Sequence, residues 1–289
     1  FVLIFPFVFS QAQTLDETVL KEIRDSFEKT PGTVALQNIL TGDANISQNA
    51  RNRQIQGKVD HYFKYRVDVK GITDQQSSGR CWMFTSMNAL RPDVRELLGT
   101  DAFDFSHNYV YFWDMLEKSN LFLENMILTA DKDMDDREVT HFFSSPVNDG
   151  GVWNLFYNIA EKYGVVPKQA MPESRHSENT RQMVSLLNER LRAGGYTIRE
   201  MAARGFGEDR LRSEKKEILK DVYRVLALCL GEPPVTFTFR YKNVAGDIVS
   251  METTPPEFYK SIIKSDYSPE NYIMVMNDPT REYYKVYEI

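Results

Sequence analysis

Cysteine is nearly absent from this sequence, which has only Cys81 and Cys229 among its 289 residues. Two cysteines cannot form a disulfide framework or a cysteine-rich zinc site. The chain also lacks a glycine-rich phosphate loop, internal repeats and low-complexity segments. We therefore expect neither a metal nor a cofactor, and any chemistry must depend on a lone thiol or on other side chains.

The sequence has no excess of positive charge either. Lysine and arginine together number 35 against 41 acidic residues, which gives a net charge of −6. A chain of this charge does not attract phosphate backbones or anionic membranes, so nucleic acid is not an expected partner. With 42% hydrophobic residues, the chain can bury a sizeable core as one large or two modest domains.

Long hydrophobic runs are missing except for residues 1–10, which are almost wholly apolar. Ten residues are too few to span a bilayer as a helix, and no cysteine follows that could carry a lipid. The small residues Ser10 and Ala12 occupy the two positions that a signal peptidase recognises. We interpret residues 1–12 as the remnant of a signal peptide whose start is missing, and we expect a secreted or periplasmic protein without a membrane anchor.

The most informative stretch is residues 72–90, where polar, turn-forming residues give way at Cys81 to an apolar, helix-forming run. This change predicts a loop that leads into a helix. Unpaired backbone N–H groups and the helix dipole stabilise a thiolate in the first turn, so Cys81 is a candidate nucleophile. Gly79 lets the loop bend and a ligand approach, and Gln75 offers an amide donor to an oxyanion. The alternative is that Cys81 is a small buried hydrophobic residue.

The run Ser-Ser-Gly-Arg-Cys-Trp at residues 77–82, together with Gln75 and residues 88–91, resembles the active-site segment of papain-like cysteine peptidases. It is most similar to the bleomycin hydrolase and aminopeptidase C branch of that family. The resemblance implies that Cys81 is the nucleophile, that Gln75 belongs to the oxyanion hole and that Trp82 lies among the substrate-binding residues. It also implies a homo-hexameric enzyme that acts on peptides and removes their N-terminal residues.

Residues 148–153, Asn-Asp-Gly-Gly-Val-Trp, contain a second candidate part of the site. Adjacent glycines leave backbone N–H and C=O groups open to an extended peptide. In the resembled family, paired glycines hold the substrate residue next to the scissile bond. We assign this role to Gly150 and Gly151, with Asn148 beside them. The alternative is a simple turn at the entrance of a helix.

The N-terminal part of the chain shows weaker patterns. Apolar residues at helical spacing predict a surface helix over residues 14–28, capped by Thr14 or Asp16. Residues 38–52 are amide-rich and weakly patterned. Alternation over residues 62–69 predicts a short extended segment that leads to the cysteine loop.

Two helices are expected after this loop. The first starts at Cys81 and runs towards Leu98, with Gly99 in a stop position and a kink or break expected at Pro92. The second begins near residue 105 and carries an aromatic stripe. Such stripes are far more often core than cofactor contacts, and this one consists of Tyr109, Phe112, Trp113 and Leu116.

Residues 174–230 are highly charged and helical in pattern, and we interpret them as an insertion relative to papain itself. Cys229 lies on the apolar face of the last helix of this insertion, so we expect it to be an ordinary core residue. Gly231 is the expected stop of that helix.

The last part of the chain is richer in strands. Residues 233–241 and 248–252 predict a hairpin, a short helix follows, and residues 272–276 predict a further strand. We therefore expect an α+β, papain-like cysteine peptidase fold with a helical insertion and an only partly present β-rich second half. The expected parts are the signal remnant at 1–12, the helical part with the nucleophile at 13–173, the insertion at 174–231 and the start of the β-rich part at 232–289.

A cysteine peptidase also needs a histidine base and usually an amide or carboxylate that orients it. None of the four histidines lies in a suitable strand-edge setting, and we interpret all of them as surface residues: His61, His107, His141 and His176. The resemblance places the base and its partner further downstream, so we expect them beyond residue 289. A papain-like protein that binds peptides without catalysis is the main alternative, and a redox sensor built on Cys81 is weaker because no resolving cysteine is near.

Overall fold

The structure is a computed structural model that describes residues 15–55, 57, 58, 60, 62–66, 69, 71–263, 271 and 277–287. Contacts divide the chain into residues 1–65 and residues 66–289, and each unit is described by itself. The predicted signal remnant at residues 1–12 lies outside the described residues. No helix in the described part of the chain has the length and apolar character needed to cross a membrane.

The first unit consists of short helices. Helix α1 spans Glu17–Asp25, and the side chain of Asp16 caps it by accepting a hydrogen bond from the Val19 N–H at 2.9 Å. Helices α2 (Pro31–Leu40) and α3 (Ile46–Asn49) follow, partly where the sequence pattern is weak. The described residues of 62–69 form no strand, and residues 67 and 68 lie outside the described ones, so the predicted extended segment stays a prediction.

The second unit begins its regular structure with helix α4, which spans Cys81–Leu98 as predicted. Gly99 ends it in the left-handed conformation (φ 61°), which favours glycine. The helix continues through Pro92, so the expected break there is absent, while the alternative of a kink stays a prediction. Helix α5 spans His107–Leu128, and the hydroxyl of Ser106 caps it.

The aromatic stripe of α5 belongs to the hydrophobic core, as predicted. Tyr109 and Phe112 are buried, while Trp113 and Leu116 pack against the core from a partly exposed position. The remaining helices before the sheet are α6 (Arg137–Ser144), α7 (Trp153–Tyr163), α8 (Arg175–Glu178), α9 (Arg181–Ala203) and α10 (Glu208–Leu230).

The predicted insertion supplies α8, α9 and α10, and the last two pack against α5 and against each other. Two glycines allow this close approach. A Cβ atom at Gly194 would lie 2.9 Å from Ile218, and one at Gly195 would lie 3.1 Å from Phe122. Cys229 is half-buried against this core, and burial raises the pKa of its thiol.

The predicted hairpin is present. Strands β1 (Phe237–Lys242) and β2 (Ile248–Thr253) pair antiparallel, with Phe237 opposite Thr253 and Lys242 opposite Ile248. Helix α11 (Pro255–Ile262) follows, and its Phe258 packs edge-on against Phe237 of the sheet. The further strand predicted at residues 272–276 lies outside the described residues.

Candidate active site

Cys81 is the first residue of α4 and is exposed to solvent. The carbonyl of Arg80 accepts hydrogen bonds from Met83 and Phe84, whereas the N–H of Cys81 has no hydrogen-bond partner among the described residues. The first turn contains no acidic side chain. The thiol therefore lies at the positive end of an 18-residue helix, beside an unpaired backbone donor.

The loop before Cys81 is closed by a reciprocal pair of hydrogen bonds. Gln75 Nε2 donates to the carbonyl of Ser78 at 2.6 Å, and Ser78 Oγ donates to the carbonyl of Gln75 at 2.6 Å. The N–H of Ser77 donates to the carbonyl of Glu178 at 2.9 Å, which attaches the loop to α8. A carboxamide has two N–H donors, so Gln75 retains one for a ligand in this arrangement.

Arg80 precedes the cysteine, and its side chain is fully buried (0% exposed). Its Nη1 donates to Glu173 Oε2 at 2.8 Å and its Nε donates to Ser78 Oγ at 3.0 Å. The guanidinium also lies over the rings of Phe84 and Tyr111, at 5.1 and 5.4 Å. Arg80 thus anchors the base of the cysteine loop in the core.

Residues 148–151 form the second part of the site, which we call the glycine segment. The indole Nε1 of Trp82 donates to the carbonyl of Asp149 at 3.0 Å. A Cβ atom at Gly151 would lie 2.5 Å from the Trp82 ring, so only glycine permits this contact. The structure therefore brings the glycine segment against the residue that follows Cys81.

The two glycines of this segment differ in the state of their backbone. The Gly150 N–H donates to Asn148 Oδ1 at 3.0 Å, and the Gly150 carbonyl accepts from Lys118 Nζ at 2.6 Å. Gly151 has no hydrogen-bond partner for either backbone group among the described residues. Gly151 is therefore the glycine whose N–H and C=O are available to an extended peptide.

One histidine, His107, differs from the sequence-based interpretation. His107 is not a surface residue but is 6% exposed, and its ring stacks on Phe84 with centroids 3.6 Å apart. Burial, followed by the nearby charges of Arg80, Lys168 and Arg91, lowers its pKa to about 3. His141 is exposed and His176 is half-buried, while His61 lies outside the described residues.

Sequence reasoning missed three charged residues that support the site: Asp149, Lys118 and Glu173. Lys118 Nζ donates to the carbonyls of Asn148 and Gly150 and to Asp114 Oδ2, at 2.9, 2.6 and 2.7 Å. The spacing of Asp114 and Lys118, one helical turn apart, was the only sequence signal for this group. Burial raises the pKa of Asp114 to about 6, although the charge of Lys118 opposes the shift.

This arrangement defines a class of site: a solvent-exposed cysteine at a helix N-terminus beside an open glycine backbone. The family model described as "Peptidase C1-like family" matches residues 14–289, and the chain belongs to this family.

The chain is similar to proteins of the predicted branch. It is 38% identical over 247 residues to aminopeptidase C of Lactobacillus delbrueckii subsp. lactis, which covers 84% of this chain and 55% of that protein. It is 35% identical over 266 residues to bleomycin hydrolase of Mus musculus, covering 90% of this chain and 58% of that protein. The chain thus spans about half the length of these relatives.

A solved structure confirms the papain-like fold class. The crystal structure of PepW from Lactobacillus rhamnosis HN001 superposes with a TM-score of 0.79 at 33% sequence identity, and it covers 86% of this chain and 56% of that one. In this chain the fold is mostly helical, with one two-stranded sheet among the described residues.

Proposed function

We propose that this chain provides the nucleophile of a thiol-dependent peptidase that removes N-terminal residues from peptides. The observation that carries the proposal is the exposed Cys81 at the start of α4, with the open backbone of Gly151 held beside it through Trp82. Relatives named aminopeptidase C support the choice of an aminopeptidase.

In the proposed reaction, the Cys81 thiolate attacks the carbonyl carbon of the scissile peptide bond. An S–C bond forms, and the carbonyl oxygen becomes an oxyanion that accepts hydrogen bonds from the unpaired Cys81 N–H and from Gln75 Nε2. The C–N bond then breaks as an imidazolium protonates the leaving amine. Water hydrolyses the resulting thioester, which releases the acid and restores the thiolate.

His107 does not fit the role of the base. With a pKa near 3 it stays neutral at neutral pH, and its buried ring is stacked against Phe84. A thiolate–imidazolium pair needs a histidine that carries a proton in the working pH range. The expectation from the resemblance, that the base and its orienting residue lie downstream of residue 289, stays a prediction.

In the proposed complex, an extended peptide pairs with the N–H and C=O of Gly151, as a strand pairs at a sheet edge. The ring of Trp82 packs against Gly151. Asn148 Oδ1 accepts the Gly150 N–H and thereby stabilises the turn. Backbone pairing of this kind is independent of substrate sequence, so it fits an enzyme that accepts many peptides.

The proposal includes a location and an assembly. The apolar residues 1–10 favour export, so the mature protein would be secreted or periplasmic. Fractionation of cells that express the protein tests this, and an uncleaved cytosolic protein would contradict it. The resemblance favours a homo-hexamer, and light scattering of the full-length protein measures the mass of the assembly.

The decisive experiment compares three proteins on an aminoacyl fluorogenic amide: residues 1–289, the full-length protein and full-length Cys81→Ala. Of these three, we expect only the full-length protein with Cys81 to release single N-terminal residues in a thiol-dependent reaction. Hydrolysis by residues 1–289 that an alkylating agent abolishes would show that a histidine within this chain is the base. Peptide binding without hydrolysis by the full-length protein would favour a non-catalytic binding protein.

A further inference from the structure

The carboxylate of Asp149 joins three parts of the fold next to Cys81. Its Oδ2 accepts hydrogen bonds from the Gly79 N–H and from Thr180 Oγ1, each at 2.6 Å. Its backbone carbonyl accepts the Trp82 indole N–H at 3.0 Å. Asp149 thus binds Gly79, which precedes Cys81, and Trp82, which follows it. It also connects both residues to Thr180 at the start of α9.

We propose that Asp149 is a positioning residue for Cys81, which fixes the sulfur relative to the open backbone of Gly151. This inference rests on the proposed function of Cys81 as a nucleophile. Asp149 belongs to the same glycine segment as Gly151, so its hydrogen bonds set the distance between nucleophile and substrate-binding backbone.

The glycines of the site support this interpretation. A Cβ atom at Gly79 would lie 2.8 Å from the Asp149 carboxylate carbon, closer than real Cβ contacts. Gly79 does not adopt a positive φ, so it is needed for space rather than for backbone conformation. Gly79 packs closely against Asp149, and Gly151 packs closely against Trp82. These two contacts join the cysteine loop to the glycine segment at two points.

Thr180 supplies a further observation. It occupies the N-cap position of α9, where a threonine side chain ordinarily accepts a hydrogen bond from the first turn. Here its side chain makes no such bond, and its hydroxyl donates to Asp149 instead. The start of α9 thus lacks a side-chain cap, while the carboxylate near Cys81 is held by two donors.

The test uses the full-length protein and the substitutions Asp149→Asn, Thr180→Val and Thr180→Ser. Asparagine keeps the size of Asp149 but loses the charge that strengthens both hydrogen bonds. Displacement of a reacting group by about 1 Å can cost ~100-fold in rate, so we expect kcat of Asp149→Asn to fall roughly 10- to 100-fold with a smaller change in KM. Thr180→Val should lose activity in the same direction, and Thr180→Ser, which keeps the hydroxyl, should retain it.

Asp104→Asn is the matched control. Asp104 accepts from Arg91 and Arg95 at 2.9 and 3.2 Å, so its substitution also removes a charge and an ion pair. We expect Asp104→Asn to change the thermal unfolding midpoint but not kcat. If Asp149→Asn retained normal kcat, or lost activity only in proportion to its unfolded fraction, Asp149 would be a structural residue and the inference would be wrong.

A second measurement separates this inference from the proposed function. The rate constant for alkylation of Cys81 by iodoacetamide depends on the placement of the thiol but not on a peptidase activity. We expect a fall of at least about threefold in Asp149→Asn, because the sulfur of Cys81 loses its fixed position at the first turn of α4. A full-length protein without hydrolysis would contradict the proposed function, whereas an unchanged alkylation rate in Asp149→Asn would contradict the positioning role.

Discussion

Replacing His107 with phenylalanine should reduce the acid sensitivity of folding while leaving the proposed thiol-dependent activity of the full-length protein intact. His107 is buried, and its Nε2 has no hydrogen-bond partner among the described residues. Phenylalanine preserves a flat ring that can stack on Phe84, so the change removes the titration with little loss of packing. Retained activity would confirm that His107 is not the base.

The expected magnitude follows from the two pKa values of His107. The pKa is 6.5 for an ordinary histidine and about 3 in the fold. Between these pH values His107 binds a proton in the unfolded chain but not in the folded chain. The unfolding free energy is therefore undiminished above pH 6.5 and decreases as the pH falls from 6.5 towards 3. At ~1.36 kcal/mol per pKa unit, protonation of this residue in the unfolded chain should lower the unfolding free energy by about 3 kcal/mol at pH 4.5.

The assay is urea unfolding of wild type and His107→Phe at pH 7.5 and pH 4.5. The drop in unfolding free energy between the two pH values should be about 2–3 kcal/mol smaller in the variant. Asp114 acts in the opposite direction, because its raised pKa of about 6 adds stability as the pH falls from 6 towards 3.8. This contribution is common to both proteins and cancels in the comparison.

His141→Phe is the control for the histidine-to-phenylalanine change, since His141 is exposed. An equal pH-dependent drop in wild type and His107→Phe would refute the reasoning, because it would mean that His107 is accessible to protons in the folded state. Loss of thiol-dependent activity in a folded His107→Phe protein would instead point to a catalytic role.

Three further predictions concern the thiols and the substrate backbone. Iodoacetamide at neutral pH should modify Cys81 before Cys229, because Cys229 is half-buried and burial raises the pKa of its thiol. Mass spectrometry of the labelled peptides shows the order of labelling. Faster labelling of Cys229 would contradict the assignment of Cys81 as the reactive thiol. Gly151→Ala should abolish most of the activity, since its Cβ would lie 2.5 Å from the Trp82 ring. Gly150→Ala should lose much less activity, because its Cβ would lie 3.2 Å from the nearest atom, Asn148 Oδ1. Equal kcat/KM values for the two variants would count against the role of Gly151. Gln75→Ala should cost roughly 3–4 kcal/mol of transition-state stabilisation and lower kcat with the fold intact; an unchanged kcat would remove Gln75 from the oxyanion hole.

Sequence alone was sufficient to locate the elements that local chemistry determines. The change from turn-forming to helix-forming residues places the start of α4 at Cys81, and a glycine ends the same helix at residue 99. The hairpin followed from alternating residues on either side of Gly246. These features depend on neighbours in sequence, so a pattern along the chain is enough to predict them.

Only the tertiary structure decided which polar residues support the site. Asp149 and Gly79 are 70 positions apart, Glu173 and Arg80 are 93 apart, and no periodicity predicts that either pair meets. The same limit explains the wrong interpretation of His107. This residue directly follows the helix cap Ser106, but it is covered by Phe84 of another helix. Burial of a polar side chain depends on what packs over it from distant parts of the chain, and this is a property of the folded structure rather than of the local sequence.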